Sequence, residues 1–156
     1  MGKRSDFERV PRDFYPTPEA AVWPLLPHLE NIDLYDEPCA GDGSLVRGLL
    51  NSGVVCSYAS DIEPRHERVA SADVFEAAEC YGDCFITNPP WNRKILHPLI
   101  IHLSDIAPTW LLFDADWMHT KQSELYMGRC EKIVSVGRVS WMQNGTAGKD
   151  NCCWYL

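Results

Sequence analysis

The 156-residue sequence predicts an α/β protein: a Rossmann-like, doubly wound, mostly parallel seven-stranded sheet with an antiparallel C-terminal strand pair. Short apolar runs alternate with helix-like segments, and this alternation favours right-handed crossovers between parallel strands. The last two strands are joined by a glycine-bearing loop too short for a crossover helix, so they are predicted to be antiparallel. Residues 1–156 are expected to form one domain.

Each predicted strand and helix follows from a local sequence pattern. Strands are predicted over 32–38, 54–62, 67–75, 84–88, 109–116, 131–142 and 151–156. Helices are predicted over 17–30, 44–53, 92–106 and 120–130. Pro24 and Pro27 should divide the first helix, and Pro98 should interrupt the third, because proline removes a helical hydrogen bond. The short stretch between Asp73 and Phe85 leaves little room for a helix before the fourth strand.

Composition narrows the class of protein. With 46% hydrophobic residues, 23% charged residues and no apolar run of membrane-spanning length, a soluble protein is expected. The charged N-terminus lacks an apolar signal region, so we expect a cytoplasmic location. The seven cysteines lack CxxC spacing and are interpreted as reduced thiols, with no metal expected even at Cys80 and Cys84.

The net charge of −8 argues against broad electrostatic attachment to nucleic acid, although a local basic face stays open. Its candidate cations are Lys3, Arg4, Arg9, Arg12, Arg93, Lys94, Lys121, Arg129, Lys132, Arg138 and Lys149.

Polar residues follow the first strands at the points where each strand ends. The turn at 36–43 has small residues, which let a ligand approach the backbone closely. It matches neither GxGxxG nor GK[ST], and its carboxylates disfavour a pyrophosphate and favour a ligand that carries an ammonium group. Asp61, about 20 residues after the glycines, suits ribose hydroxyls, and Asp73 suits the amino edge of an adenine.

The ordered segments resemble the class I S-adenosylmethionine-dependent methyltransferases, and more narrowly the DNA methyltransferases that modify adenine N6 or cytosine N4. The segments are DFYPTP (13–18), EPCAGDG (37–43), SDIEP (60–64), ADVF (72–75) and TNPPW (87–91). Their order resembles the gamma arrangement, and the ending GKDNCCWYL resembles small phage-encoded adenine methyltransferases. The resemblance extends over nearly the whole chain.

This resemblance implies S-adenosyl-L-methionine as cofactor and a role for each matching residue. Glu37 would hold the methionine ammonium, Asp61 the ribose hydroxyls and Asp73 the adenine amino group. The remaining cofactor-binding positions would be Tyr15, Pro16, Thr17, Pro38, Cys39, Ala40, Gly41, Gly43, Ile62, Val74 and Asn88. The catalytic residues would be Asn88, Pro89, Pro90 and Trp91.

The NPPW segment suits methyl transfer to a conjugated amine. Such an amine is a poor nucleophile, and two fixed carbonyl acceptors can draw it toward tetrahedral geometry. The Asn88 side chain and the Pro89 backbone would supply them, with Trp91 as a stacking face for a flipped-out or single-stranded base. Phe14 and Tyr15 are candidates to stack on the base from another side. The family often has aspartate where this chain has Asn88.

Position after the fifth strand, or in the loop 144–151, makes further residues candidates for the same cleft. Phe113, Asp114, Asp116, Trp117 and His119 follow the fifth strand, and structural packing of Trp117 is an equal alternative. Lys149, in the loop 144–151, is a further candidate, whereas Trp141 and Trp154 are expected in the core.

No segment is long enough for a separate target-recognition domain, so a partner, self-association or acceptance of loosely defined target sites would have to replace one. The leading hypothesis is adenine N6 methylation of DNA. The alternatives are RNA adenine, cytosine N4, a protein glutamine amide, or a non-catalytic cofactor-binding partner subunit.

Overall fold

The computed structural model describes residue 12 and residues 14–142, 145, 147–148 and 150–156, and it forms one seven-stranded sheet. The strands are β1 (Leu34–Glu37), β2 (Val55–Asp61), β3 (Ala70–Ser71), β4 (Cys84–Thr87), β5 (Thr109–Asp114), β6 (Ile133–Gly137) and β7 (Cys152–Tyr155). Their order is β3–β2–β1–β4–β5–β7–β6, parallel up to β5 and antiparallel where β7 pairs with β5 and β6. The predicted fold class is confirmed.

The helices are α1 (Glu19–Val22), α2 (Ser44–Leu49) and α3 (Arg93–Ile106), with 3-10 helices at Trp23–His28, Val74–Glu76, Ala115–His119, Lys121–Leu125 and Met127–Arg129. The first predicted helix is divided as expected. Its α-helical turn ends at Val22, and the proline-bearing stretch that follows is 3-10.

Two helix predictions were wrong. Pro98 does not interrupt α3, which continues through it. The carbonyl that Pro98 leaves without a donor belongs to Lys94, an exposed residue of the first turn, where solvent can reach it. Residues 120–130 form 3-10 turns because the Ser123 hydroxyl bonds the carbonyls of Met118 and Thr120 and so competes with an α-helical pattern.

The sheet separates two apolar clusters. One lies under α1 and α2 and contains Ile86, Leu112 and Trp154; the other lies under α3 and contains Phe85 and Phe113. Trp141 and Trp154 are buried, as predicted.

Cover over the sheet is uneven. Strands β4 and β7 are buried along their whole length, whereas Val55, Ser57 and Tyr58 of β2 are exposed. The connection from β2 to β4 contains only β3 and one 3-10 turn, so it adds no helix to cover this edge. The missing helix before β4 agrees with the short spacing noted above.

Within the described part of the chain, no helix has the length and apolar character needed to cross a membrane. In the same residues, no group of three or more His, Cys, Asp or Glu side chains is arranged to hold a metal ion. All seven cysteines are free thiols.

Candidate active site

A cavity opens at the carboxyl ends of β1, β2 and β4, where the strand order reverses between β1 and β4. Ligands of doubly wound sheets bind at this switch point. Fourteen of the predicted site residues line it: Tyr15, Pro16, Thr17, Glu37, Pro38, Cys39, Ala40, Gly41, Asp61, Ile62, Asp73, Val74, Asn88 and Pro90. The three acids that end successive strand regions therefore do meet in one place.

The turn after β1 needs its glycine at position 41. Gly41 has a φ of +54°, and a Cβ there would lie 2.7 Å from Cε2 of Phe14. Its amide donates to Asp61 Oδ2 at 2.9 Å, and its carbonyl accepts from the Arg65 amide at 3.0 Å. The turn is thus fixed between the N-terminal segment and the end of β2.

Glu37 is a buried acid without a cation. Its side chain is 1% exposed, and no ion pair among the described residues includes it. Burial raises the pKa of Glu37 to about 8, and the hydrogen bond from the Cys39 amide at 3.2 Å only partly opposes this. The Thr87 hydroxyl lies close enough to lower the pKa of Glu37 as well, although its oxygen makes no hydrogen bond of full geometry with the described residues.

Asp61 and Asp73 are both held by backbone amides. Asp61 accepts from Gly41 through one oxygen and from the Glu63 amide, at 2.8 Å, through the other. Asp73 accepts from the Phe75 amide at 2.9 Å and caps the 3-10 turn that follows. Each carboxylate keeps further acceptor sites, so both stay available to a ligand in the cavity.

The N-terminal segment covers one side of the cavity. Arg12 pairs with Glu63 at 2.7 Å, and the Arg65 guanidinium lies 4.0 Å from the centre of the Phe14 ring. Both contacts join this segment to residues just after β2. Asp13, the first residue of the predicted DFYPTP segment, lies outside the described residues, as do Lys3, Arg4, Arg9 and Lys149.

Asn88 follows β4 and is hydrogen-bonded on both sides of its amide. Its Nδ2 donates to Thr17 Oγ1 at 3.2 Å and to the Tyr15 carbonyl at 3.4 Å. Its Oδ1 accepts from the indole Nε1 of Trp91 at 3.4 Å. An indole N–H only donates and a carbonyl only accepts, so this orientation of the amide is the one that satisfies both neighbours.

Trp91 is packed rather than open to the cavity. Its ring meets Trp141 edge-on at 5.5 Å between centroids, and its indole N–H also donates to the Leu112 carbonyl at 3.2 Å. The backbone carbonyl of Trp91 accepts from Arg93 at 3.1 Å, and Arg93 pairs with Asp114 at 3.0 Å. The NPPW segment is therefore tied to β5 at two points.

Some predicted positions lie elsewhere. Gly43, Pro89 and Trp91 are outside the cavity lining, and Gly43 instead precedes α2 with a φ of +80°. The expectation that Phe113 faces the cleft was wrong, and for Trp117 the packing alternative is confirmed, because both rings are buried against Tyr155. Asp114, Asp116 and His119 do not line the cavity either.

Sequence reasoning missed Arg12, Glu63, Arg65 and Ile95 as lining residues. Glu63 and Arg65 closely follow Asp61 in the sequence, so their proximity to the cavity could have been predicted. Their contacts with Arg12 and Phe14 join segments about 50 residues apart and left no local signal.

No protein-family model matches this chain, and no curated protein sequence matches it. Solved structures do share its fold. A Pyrococcus horikoshii protein provisionally described as an RNA methyltransferase has a TM-score of 0.68 at 16% identity, covering 98% of this chain and 90% of that one. A dimethyladenosine transferase from Plasmodium falciparum has a TM-score of 0.57 at 18% identity, covering 91% of this chain and 61% of that one. A Thermoplasma acidophilum protein has a TM-score of 0.56 at 18% identity, with 84% of both chains covered.

Proposed function

We propose that this protein is an S-adenosylmethionine-dependent methyltransferase that modifies the exocyclic amine of a nucleobase, foremost adenine N6 in DNA. One observation carries the proposal: Asn88 of the NPPW segment lines the same cavity as Glu37, Asp61 and Asp73. A nucleoside-binding set of acids and an amine-binding amide thus share one space.

The residues fit this cofactor. Glu37 is buried and has no cationic partner among the described residues, and an ammonium group is the partner that would ionise it. Asp61 and Asp73 lie at the ends of neighbouring strand regions with acceptor sites to spare, which suits the hydroxyls and amino group of an adenosine. Gly41 lets the backbone of this turn lie directly against the Phe14 ring, because a side chain at position 41 would not fit between them.

The bound cofactor supplies a methyl group on a sulfonium, a leaving group that requires no acid. The chain has to hold the target amine and remove its conjugation with the ring. We assign this to two acceptors, the Asn88 side-chain carbonyl and the Pro89 backbone carbonyl, with Pro90 limiting the freedom of the loop. The proton that the amine loses after transfer passes to solvent.

For the nucleic acid that carries the base, DNA is the first candidate and RNA is the second. The motif order resembles DNA methyltransferases, whereas two fold neighbours are described as acting on RNA or as a dimethyladenosine transferase. The predicted basic face gains nothing from Arg12 and Arg93, which are both engaged in ion pairs. We therefore expect contact with single-stranded or flipped-out bases rather than a long duplex footprint, with self-association or a partner supplying target recognition.

The test supplies purified protein with tritiated S-adenosylmethionine and, separately, duplex DNA, single-stranded DNA, RNA and a protein lysate. We expect label in nucleic acid, released on digestion as an N6-methylated adenine nucleoside. Asn88→Ala should lower kcat by about 10²-fold or more while cofactor binding, measured by calorimetry, persists. Asn31→Ala, an exposed asparagine away from the cavity, is the matched control.

Label in RNA alone would identify RNA as the substrate. Labelled N4-methylcytosine would identify cytosine as the target base. Label in protein alone would contradict the nucleobase assignment. Failure of the protein to bind S-adenosylmethionine would overturn the whole proposal.

A further inference from the structure

We propose that Trp91 acts through its indole N–H as a positioning residue for the Asn88 carbonyl, with Thr17 holding the other end of the same amide. This inference rests on the proposed function, and it gives Trp91 a role distinct from stacking on a base. It concerns how one chemical group of the site is aimed.

The geometry places Trp91 between β5 and Asn88. One N–H serves two acceptors, the Leu112 carbonyl at 3.2 Å and Asn88 Oδ1 at 3.4 Å. Leu112 is fully buried in β5, so its carbonyl is a fixed anchor. The indole therefore ties the direction of the Asn88 carbonyl to a strand that cannot move independently of the core.

The nitrogen end of the amide is held by the N-terminal segment. Its two hydrogens point to Thr17 Oγ1 and to the Tyr15 carbonyl. Donation of both hydrogens strengthens the polarity of the carbonyl at the other end, because hydrogen bonds in a chain polarise one another. Oδ1 has two lone pairs, so it can accept from the indole and still accept from a target amine.

This arrangement gives a physical reason for asparagine at position 88. An aspartate there would lose both donors and would place a carboxylate oxygen beside the Tyr15 carbonyl. Two acceptors without a hydrogen between them repel, and the N-terminal segment would move away from the cavity. Asn88→Asp is thus expected to weaken cofactor binding as well as transfer, although aspartate also offers a carbonyl oxygen.

Trp91→Phe is the decisive variant, because it keeps an aromatic face and removes the N–H. We expect kcat to fall about 10- to 100-fold while the Kd for cofactor stays within about 3-fold, since the lost interaction acts on the acceptor amine. The matched control is Trp141→Phe, which shrinks the ring packed against Trp91 and leaves the Asn88 contact intact. It should retain most of kcat.

Thr17 is tested by a pair of variants. Thr17→Val should lower kcat, and Thr17→Ser, which restores a hydroxyl, should recover it. In ¹⁵N NMR spectra, the Trp91 indole signal should shift in Asn88→Ala and stay in place in Asn31→Ala; this measurement is independent of activity.

Three outcomes would overturn the inference alone: wild-type kcat in Trp91→Phe, an equal loss in Trp91→Phe and Trp141→Phe, or an unmoved indole signal. A wild-type protein that binds no S-adenosylmethionine or methylates no acceptor would overturn the proposed function first, and this inference with it.

Discussion

The two ends of the sheet differ in how firmly they are covered, and each holds a different half of the site. Strands β4, β5 and β7 lie between two apolar clusters and carry the NPPW segment with its supports. Strands β2 and β3 form a more exposed edge, and this edge carries Asp61 and leads into Glu63 and Arg65, which contact the N-terminal segment. The aiming of an acceptor amide demands a rigid base, whereas a cofactor that must enter and leave is compatible with a looser wall.

The largest expected effect is on stability, at strand β7 in the part of the sheet that lies between the two apolar clusters. Trp154→Ala should lower the free energy of unfolding by about 3 to 5 kcal/mol, as for other buried large-to-small changes. The Trp154 ring is fully buried, and its indole N–H donates to the Ala21 carbonyl at 2.8 Å. Urea unfolding measures the change. Trp23→Ala, at a tryptophan that is 58% exposed, should cost less than about 0.5 kcal/mol, and equal losses would break the contrast.

Glu37→Gln tests the cofactor half through pH. The pKa of Glu37 in the folded protein, about 8, lies above the ordinary value of 4.5, so the unfolded chain binds fewer protons between those values. Wild-type stability should therefore decline as pH rises from about 4.5 to 8, and Glu37→Gln should lack that slope. Thermal melting across this range checks it, with Glu19→Gln, an exposed glutamate, as control.

The same variant should weaken cofactor binding by about 10- to 100-fold, because a charged partner of the ammonium is lost. In the wild type at pH 7, binding should release close to one proton as Glu37 ionises. Calorimetry in two buffers of different ionisation enthalpy measures that proton. No proton release would contradict the pairing of Glu37 with an ammonium.

The smallest expected effect concerns Arg93, at the partly exposed side of the β4–β5 end of the sheet. Arg93→Gln removes both the donor to the Trp91 carbonyl and the ion pair with Asp114. We expect a loss of about 1 kcal/mol in stability and a modest fall in kcat, because the pair is partly exposed. Lys94→Gln changes the neighbouring, exposed cation and should do neither. A loss confined to cofactor affinity would contradict the assignment of Arg93 to the support of the NPPW segment.

Sequence patterns predicted the elements with strong local signals. The apolar strands, the proline-divided first helix and the antiparallel final pair all have causes within a few residues. The three acids were found because parallel strands bring their carboxyl ends to one edge. Pro98 misled the prediction because the cost of proline depends on whether the freed carbonyl reaches water, and sequence alone does not reveal exposure.

The supports of the site were beyond sequence reasoning for a related reason. Trp91 was predicted as a stacking face because its ring is its most conspicuous property. Its neighbours Leu112 and Trp141 lie 21 and 50 positions away, and only the folded sheet brings their atoms to the indole. The same holds for Thr17 and Asn88, which are 71 residues apart.

The placement of β7 has a consequence for how the chain reaches its fold. β7 lies between β5 and β6, although it follows both in the chain, and β6 joins the sheet through β7. On a ribosome, β6 therefore emerges before β7, the strand that joins it to the sheet in the described part of the chain, and its edge stays unpaired until residues 152–155 follow. Assembly at this end runs against chain order, and slow or interrupted translation of the last strand would prolong the interval in which β6 can pair with another molecule.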